Sequence, residues 1–401
     1  MTILIADKLA AAAVEALEAE GHAVHADPAL KGEALEAALR EVQPNILIVR
    51  STKVPEAAIH ATAALELIVR AGAGYDTIDV QAASARGIFV ANCPGKNAVA
   101  VAELTIGLML ALDRRIPDNV ADARRGEWNK AIYSKADGLK GKTLGLIGFG
   151  NIAQAVARRA KALQLDIIAW SRSLTPERAA EAGVRYAASP QDVARHADIV
   201  SLHVAATSDT QHLVDQAFFE AMQDGAHFIN TTRGSVVDEA ALTWALEHKQ
   251  IRAGLDVFQG EPSAKTGAFS HSLAGHPSVY MTHHIGASTL QAQNAIALEA
   301  ARVVNAYAAT GVVENNVNRA AHTDANHLLT VRHLDRVGVL ARVLDAMRGA
   351  DWNVQEMENL IFEGGEAASA RIRFYGAPNQ VVLDEIQSVE EVLAVSVLPL
   401  A

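Results

Sequence analysis

The segment Gly148-Phe149-Gly150-Asn151-Ile152-Ala153 follows an apolar strand, residues 144–147, and opens an amphipathic helix over 152–163. No other feature narrows the possible folds as much, because each small residue has a separate job at such a junction. Gly148 permits the tight turn, Gly150 lets the backbone approach a pyrophosphate, and Ala153 lets the helix pack closely on the strand. The first helical residues, Asn151 and Ile152, present unpaired N–H groups to the anion. The loop alone is a weak signal. Its place between a buried strand and a helix makes it a dinucleotide cradle, which in turn demands a parallel sheet wound on both faces.

That sheet is readable around the loop. Strands are predicted at 143–147, 166–170, 198–202, 227–230, 254–257 and 279–282, with helices between them. An earlier series, 2–6, 46–49, 67–70 and 88–91, alternates with Ala-rich helices at 10–20 and 55–64 and predicts a second parallel sheet. A helix over 97–112 is apolar on most faces and is expected between the two. Another over 288–309 should return to the first series. The expected fold class is α/β, with two doubly wound (Rossmann- or flavodoxin-like) domains, 1–96 completed by 286–318, and 97–285. The reactive cleft should lie between them. Residues 319–326 read as a linker. After it the order is strand 327–333, helix 337–350, strands 353–361 and 368–374, helix 380–387 and strand 392–398. This βαββαβ order predicts a small α+β domain over 327–401.

Composition sets the remaining bounds. A net charge of −11 without a Lys/Arg block argues against nucleic acid or an anionic membrane as partner. The single cysteine, Cys93, excludes an internal disulfide framework, and its expected role is that of a small buried residue in a reducing compartment. The longest apolar run, 104–112, is too short to span a bilayer. The opening Met1-Thr2-Ile3-Leu4-Ile5-Ala6-Asp7 reads as a first strand and not as a leader. A cytoplasmic protein is expected, with no metal site.

Three further motifs carry chemistry. They are Asn230-Thr231-Thr232-Arg233-Gly234, then Leu255-Asp256-Val257-Phe258-Gln259-Gly260-Glu261-Pro262, then Thr282-His283-His284-Ile285-Gly286. Oxidising an alcohol beside a carboxylate needs a base for the hydroxyl proton, a carboxylate to tune that base, and a guanidinium to hold the substrate's own carboxylate. His284, Glu261 and Arg233 match those needs. With the glycine loop upstream, the four motifs in this order resemble the NAD-dependent D-2-hydroxyacid dehydrogenases, and among them the D-3-phosphoglycerate dehydrogenases. The resemblance runs from about residue 45 to the end.

The resemblance implies roles for individual residues. His284 is the implied acid/base, oriented by Glu261, although His283 stands where relatives commonly carry Pro and is a one-residue alternative. Gly148, Gly150, Asn151, Ile152, Ser171, Arg172, His203, Thr210, Thr232, Asp256, His284 and Gly286 are the implied cofactor contacts, with Asp256 expected to hold the nicotinamide carboxamide. NAD-preferring relatives place an acid where Ser171 stands. Ser171 and Arg172 therefore lean toward NADP, through pairing of Arg172 with a 2′-phosphate. Ala205 likewise stands in place of a common Pro. Substrate contacts are implied for Arg233, for Ala73 and Gly74 in Arg70-Ala71-Gly72-Ala73-Gly74-Tyr75-Asp76, and for Asn97. Arg50, Ser51 and Lys53, with Lys130 beside Trp128-Asn129, resemble that family's phosphate site.

Leu334-Asp335-Arg336-Val337-Gly338-Val339-Leu340 resembles the opening of ACT domains, amino-acid-sensing modules attached to biosynthetic enzymes, with Val337 where Pro is usual. The implied effector contacts are His333, Asp335 and Asn353. The leading expectation is a phosphoglycerate dehydrogenase opening serine synthesis. An NADP-linked glyoxylate/hydroxypyruvate reductase and a dinucleotide-sensing scaffold or corepressor are the alternatives. Expected partners are a 2-hydroxy or 2-oxo acid, a possible amino-acid effector and further copies of the chain, as homodimer or homotetramer.

Overall fold

The computed structural model describes residues 1–262 and 266–400. The chain divides into two units, Met1–Asn318 and Arg319–Ala401. The first unit holds two parallel sheets. Strands β1 (Thr2–Ile5), β2 (Ala23–Ala26), β3 (Ile46–Val49), β4 (Leu67–Arg70) and β5 (Phe89–Asn92) form one in the order β2-β1-β3-β4-β5. Its helices are α1 (Ala11–Ala19), α2 (Glu33–Val42), α3 (Glu56–Ile59) and α4 (Val80–Ala85). β3 is buried along its whole length, as its unbroken Ile-Leu-Ile-Val requires of a strand covered on both faces. β2 is exposed at three of its four residues, and so carried no apolar pattern to betray it.

Three helices then lead to the second sheet: α5 (Ala98–Arg114), α6 (Ile116–Arg124) and α7 (Lys130–Tyr133). The second sheet contains β6 (Thr143–Ile147), β7 (Asp166–Trp170), β8 (Arg185–Tyr186), β9 (Ile199–Leu202), β10 (His227–Asn230), β11 (Arg252–Leu255) and β12 (Val279–Met281). The order is β12-β11-β10-β9-β6-β7-β8, seven strands where the pattern predicts six. The extra one, β8, is an exposed two-residue edge with no core face to read. Helices α8 (Asn151–Ala162), α9 (Pro176–Glu181), α10 (Pro190–His196), α11 (Gln216–Ala221) and α12 (Glu239–His248) flank the sheet. α5 packs on α8, β10 and β11 and touches α13 (Leu290–Thr310), which returns to α1 and β4. A buried carboxylate anchors that return. Glu299 on α13 pairs with Arg302 and with Lys96, and chiefly the Arg302 guanidinium pulls it down to about 2.

Sheet order places the sites. In each sheet the winding direction reverses once, between β1 and β3 and between β6 and β9. Loops leaving the C-terminal ends of strands on either side of such a point diverge and leave a crevice.

The second unit contains β13 (His327–Leu334), α14 (Val339–Gly349), β14 (Asn353–Ile361), β15 (Ala367–Tyr375), α15 (Gln380–Gln387) and β16 (Val392–Pro399). The sheet is antiparallel, in the order β14-β15-β13-β16. Its core joins Leu329, Val331, Ile372 and Phe374 to Val343, Met347 and Ile386 of the helices. Trp352 stacks on Phe374, with ring centroids 4.7 Å apart.

Candidate active site

The glycine loop sits at the crevice between β6 and β9. Gly148 has φ +94°, and a Cβ there would stand 2.4 Å from the carbonyl oxygen of His203, so no other residue fits without moving the β9 loop. Gly150 faces open space, and no side chain caps α8 behind it, which leaves the first-turn N–H groups available to an anion. Across the cleft, both ring nitrogens of His203 are buried without a protein partner, and burial pushes its pKa down to about 3. An orphaned neutral imidazole beside an open helix terminus fits a polar ligand carrying phosphate. Ser171, Arg172 and Thr210 line the same cleft.

Several of these side chains are engaged by the protein itself. The Thr210 hydroxyl donates to the Ala205 carbonyl (2.6 Å) and accepts from the Thr207 N–H (2.8 Å), so it builds the loop. Ile152 packs into the core and offers only its backbone. The side-chain amide of Asn151 faces Gly95. The Thr232 hydroxyl donates to Asn230 Oδ1 at 2.7 Å. Arg172 donates from Nη1 to Asp209 Oδ2 at 2.8 Å.

The second group of residues surrounds His284. Its Nδ1 lies 2.7 Å from Glu261 Oε2, while Glu261 Oε1 accepts the Phe258 N–H at 3.2 Å. His284 has φ +53°, a conformation that costs a non-glycine residue energy and persists where neighbours enforce it. The enforcer is Asp256. Its Oδ1 accepts from the Thr282 hydroxyl (2.6 Å) and the Ile285 N–H (2.8 Å), its Oδ2 accepts from the Gly286 N–H (2.8 Å), and its carbonyl accepts from the His284 N–H (2.9 Å). The carboxylate expected to hold a nicotinamide amide is 1% exposed and bound to the loop that carries His284. His283 is exposed and has no hydrogen-bond partner among the described residues.

Arg233 lies in the segment just after β10. Its Nη2 reaches Asp76 at 3.3 Å and passes so near Gly74 that a Cβ there would stand 2.6 Å away. The Ala73 carbonyl is held by Asn92 Nδ2 at 2.6 Å, and among the described residues no protein acceptor takes the N–H groups of Ala73 or Gly74. The first sheet's crevice adds cations. Asp7, at the end of β1, accepts from the N–H groups of Arg50 (2.7 Å), Ser51 (3.0 Å) and Thr52 (2.9 Å) and from the Ser51 hydroxyl (2.8 Å). Burial raises its pKa, and those bonds outweigh burial and lower it. Ser51 thus shares Asp7 with the N–H groups of Arg50 and Thr52.

Arg70 is a site residue the sequence reasoning passed over. It lies deep beside Arg50, Arg233 and Asp76, with Nε buried and unpaired, and burial together with the two neighbouring guanidiniums lowers its pKa. Arg70 and Arg233 thus flank Asp76, while Asp7 holds the Arg50 segment. Asp7 and Arg70 were both legible as charged residues closing buried strands. Asn97 Oδ1 is also buried without a partner, at the start of α5. Lys53 is exposed. Lys130 lies on α7, where Asn129 and Tyr133 bond to Asp122, and among the described residues no hydrogen bond or ion pair joins it to the Arg50 segment.

In the second unit His333 lies near the end of β13, Asp335 just after it, and Asn353 opens β14. His333 is buried, with Nδ1 2.8 Å from the Leu334 carbonyl and Nε2 3.2 Å from Asn359 Oδ1. Along the ladder His333 pairs with Ala368 and Asn353 with Tyr375, at opposite ends of β15. The Asp335 N–H donates to the Glu366 carbonyl, which puts Asp335 at the His333 end. Among the described residues there is no cluster of metal ligands, and no helix is long and apolar enough to cross a membrane.

Comparison with known proteins agrees with this geometry. Residues 106–286 match the "D-isomer specific 2-hydroxyacid dehydrogenase, NAD binding domain". A hydroxypyruvate reductase of Thermotoga maritima is 43% identical over 257 residues, which cover 64% of this chain and 82% of that one. The chain belongs to the D-isomer specific 2-hydroxyacid dehydrogenase family. Within this dehydrogenase family, a D-3-phosphoglycerate dehydrogenase of Methanocaldococcus jannaschii is 39% identical over 318 residues, 79% of this chain. The match spans only 59% of that relative's length. Another dehydrogenase fold, the NADPH-dependent glyoxylate/hydroxypyruvate reductase of Sinorhizobium meliloti solved with NADP and malonate, superposes with a TM-score of 0.67. It is 30% identical, covering 80% of this chain and 99% of that one.

Proposed function

We propose that the chain catalyses reversible transfer of hydride between C2 of a D-2-hydroxy acid and NAD(P), with 3-phosphoglycerate and 3-phosphohydroxypyruvate as the physiological pair. The bound nicotinamide supplies the hydride acceptor or donor. The observation that carries the reading is the 2.7 Å contact between His284 Nδ1 and Glu261. With Nδ1 facing the carboxylate, Nδ1 holds its proton and Nε2 is the nitrogen free to take the substrate hydroxyl proton. Glu261 steadies the imidazolium that forms. Arg233 offers a guanidinium to the substrate carboxylate and the reacting oxygen, next to the open N–H groups of Ala73 and Gly74.

A phosphorylated substrate is favoured by Arg50 and Arg70, two guanidiniums beyond the one, Arg233, that the substrate carboxylate needs. The 43% identity to a hydroxypyruvate reductase favours hydroxypyruvate or glyoxylate as the second reading. Rates with all three 2-oxo acids, using NADH and NADPH, test the choice. The dominance of an unphosphorylated acid would overturn the first reading. For the second unit, the βαββαβ sheet supports an ACT-like regulatory or assembly role in a homo-oligomeric cytoplasmic enzyme. Titration with serine and other amino acids, following rate and assembly together, tests that role.

A further inference from the structure

The cofactor cleft holds an ion pair that the reaction does not need. Ser171, closing β7, puts a neutral side chain on one wall, and Arg172 follows it. Asp209 comes from the opposite wall, in the 3-10 turn Ser208–Thr210 after β9, and its Oδ2 meets Arg172 Nη1 at 2.8 Å. The turn is held independently of that pair by reciprocal bonds between Thr207 and Thr210. Asp209 is thus fixed by its backbone, while both charged ends are 68% exposed. A pair so exposed is weak and exchanges partners readily. Beyond Ser171, on its other side, Arg178 donates to the Ser173 carbonyl in a pocket that also contains Glu181.

These facts describe a cation already partnered in the place where a 2′-phosphate needs it. We propose that Asp209 determines the choice between NADH and NADPH, by occupying Arg172 and by adding a negative charge to the mouth of the cleft. A 2′-phosphate of nearly two negative charges must take Arg172 from Asp209 and then sit near the displaced carboxylate. A ribose hydroxyl makes neither demand. The acid absent from the end of β7 is in effect supplied from across the cleft, so that Ser171-Arg172 does not by itself make an NADPH enzyme. This inference rests on the dehydrogenase reading and assigns it a specificity-determining residue.

The test is Asp209→Asn, which keeps the size of the side chain and the Thr207–Thr210 bonds. Affinities for NADH and NADPH are measured by fluorescence titration of the full chain, together with kcat/KM for each. Asp209→Asn should tighten NADPH about tenfold and change NADH less than threefold. In an Arg172→Ala background most of that gain should vanish, because there is no longer a cation to release. Equal changes for both cofactors, or an undiminished gain without Arg172, would overturn the proposal. Binding separates this from failure of the dehydrogenase reading. If the wild type binds neither cofactor that reading falls, whereas binding of both with no differential effect of Asp209→Asn sinks only the role of Asp209.

Discussion

Asp256 holds His284 in place without touching its ring: the His284 N–H donates to the Asp256 carbonyl at 2.9 Å, and the Asp256 carboxylate takes the N–H groups of Ile285 and Gly286, at 2.8 Å each. The left-handed backbone at His284 is stable only with those bonds in place.

Asp256→Asn replaces one acceptor by an NH2 group that opposes an N–H. It should lower kcat at least tenfold and stability by about 1–3 kcal/mol, the usual cost of an unsatisfied buried donor. If Asp256 instead served the cofactor's carboxamide, the variant would weaken NADH binding while leaving the melting temperature unchanged. Calorimetry with a cofactor titration distinguishes the two.

Arg70 is buried near both Arg50 and Arg233, so three guanidiniums stand against the carboxylates of Asp76 and Asp7. Arg50→Ala should raise KM for 3-phosphohydroxypyruvate on the order of tenfold more than for hydroxypyruvate, the difference a charge-assisted pair makes. Equal increases would remove the phosphate from the proposal.

Acid sensitivity should come from histidines buried as neutral rings. Burial, with Lys142 and Arg252 nearby, pushes His227 from 6.5 down to about 4. Below pH 6.5 the unfolded chain takes up a proton there that the folded chain refuses. The stabilisation is therefore complete above about 6.5 and is lost as pH falls toward 4. Between pH 7 and pH 5 the loss from this residue is about 2 kcal/mol. Urea melts of His227→Gln should show a correspondingly smaller drop than the wild type, and identical drops would contradict this assignment.

What the sequence revealed depends on where each element's constraint lies. β3, β4, β6, β7 and β10 are buried parallel strands whose apolar runs coincide with the observed limits, while β2 and β8 are exposed and left no trace. At the site, motif residues come with their neighbours, so Arg233, Glu261 and His284 were nameable in advance. The partners of Ser51 and Asp256 were not, since each bond closes through the fold. Asp7 is 43 residues from Arg50, and only the reversal of the sheet between β1 and β3 joins them. Strand register, which the sequence does not display, puts His333 and Asn353 at opposite ends of β15 within one chain.

The most direct test of the account is the oxidation of reduced cofactor by 3-phosphohydroxypyruvate, compared between the wild type, His284→Gln and His283→Gln. The account predicts turnover by the wild type and by His283→Gln. It predicts a loss of about 10²-fold or more in kcat for His284→Gln, in the range expected of a general acid/base, with cofactor affinity retained. Near-normal turnover in His284→Gln, or a comparable loss in His283→Gln alone, would contradict it.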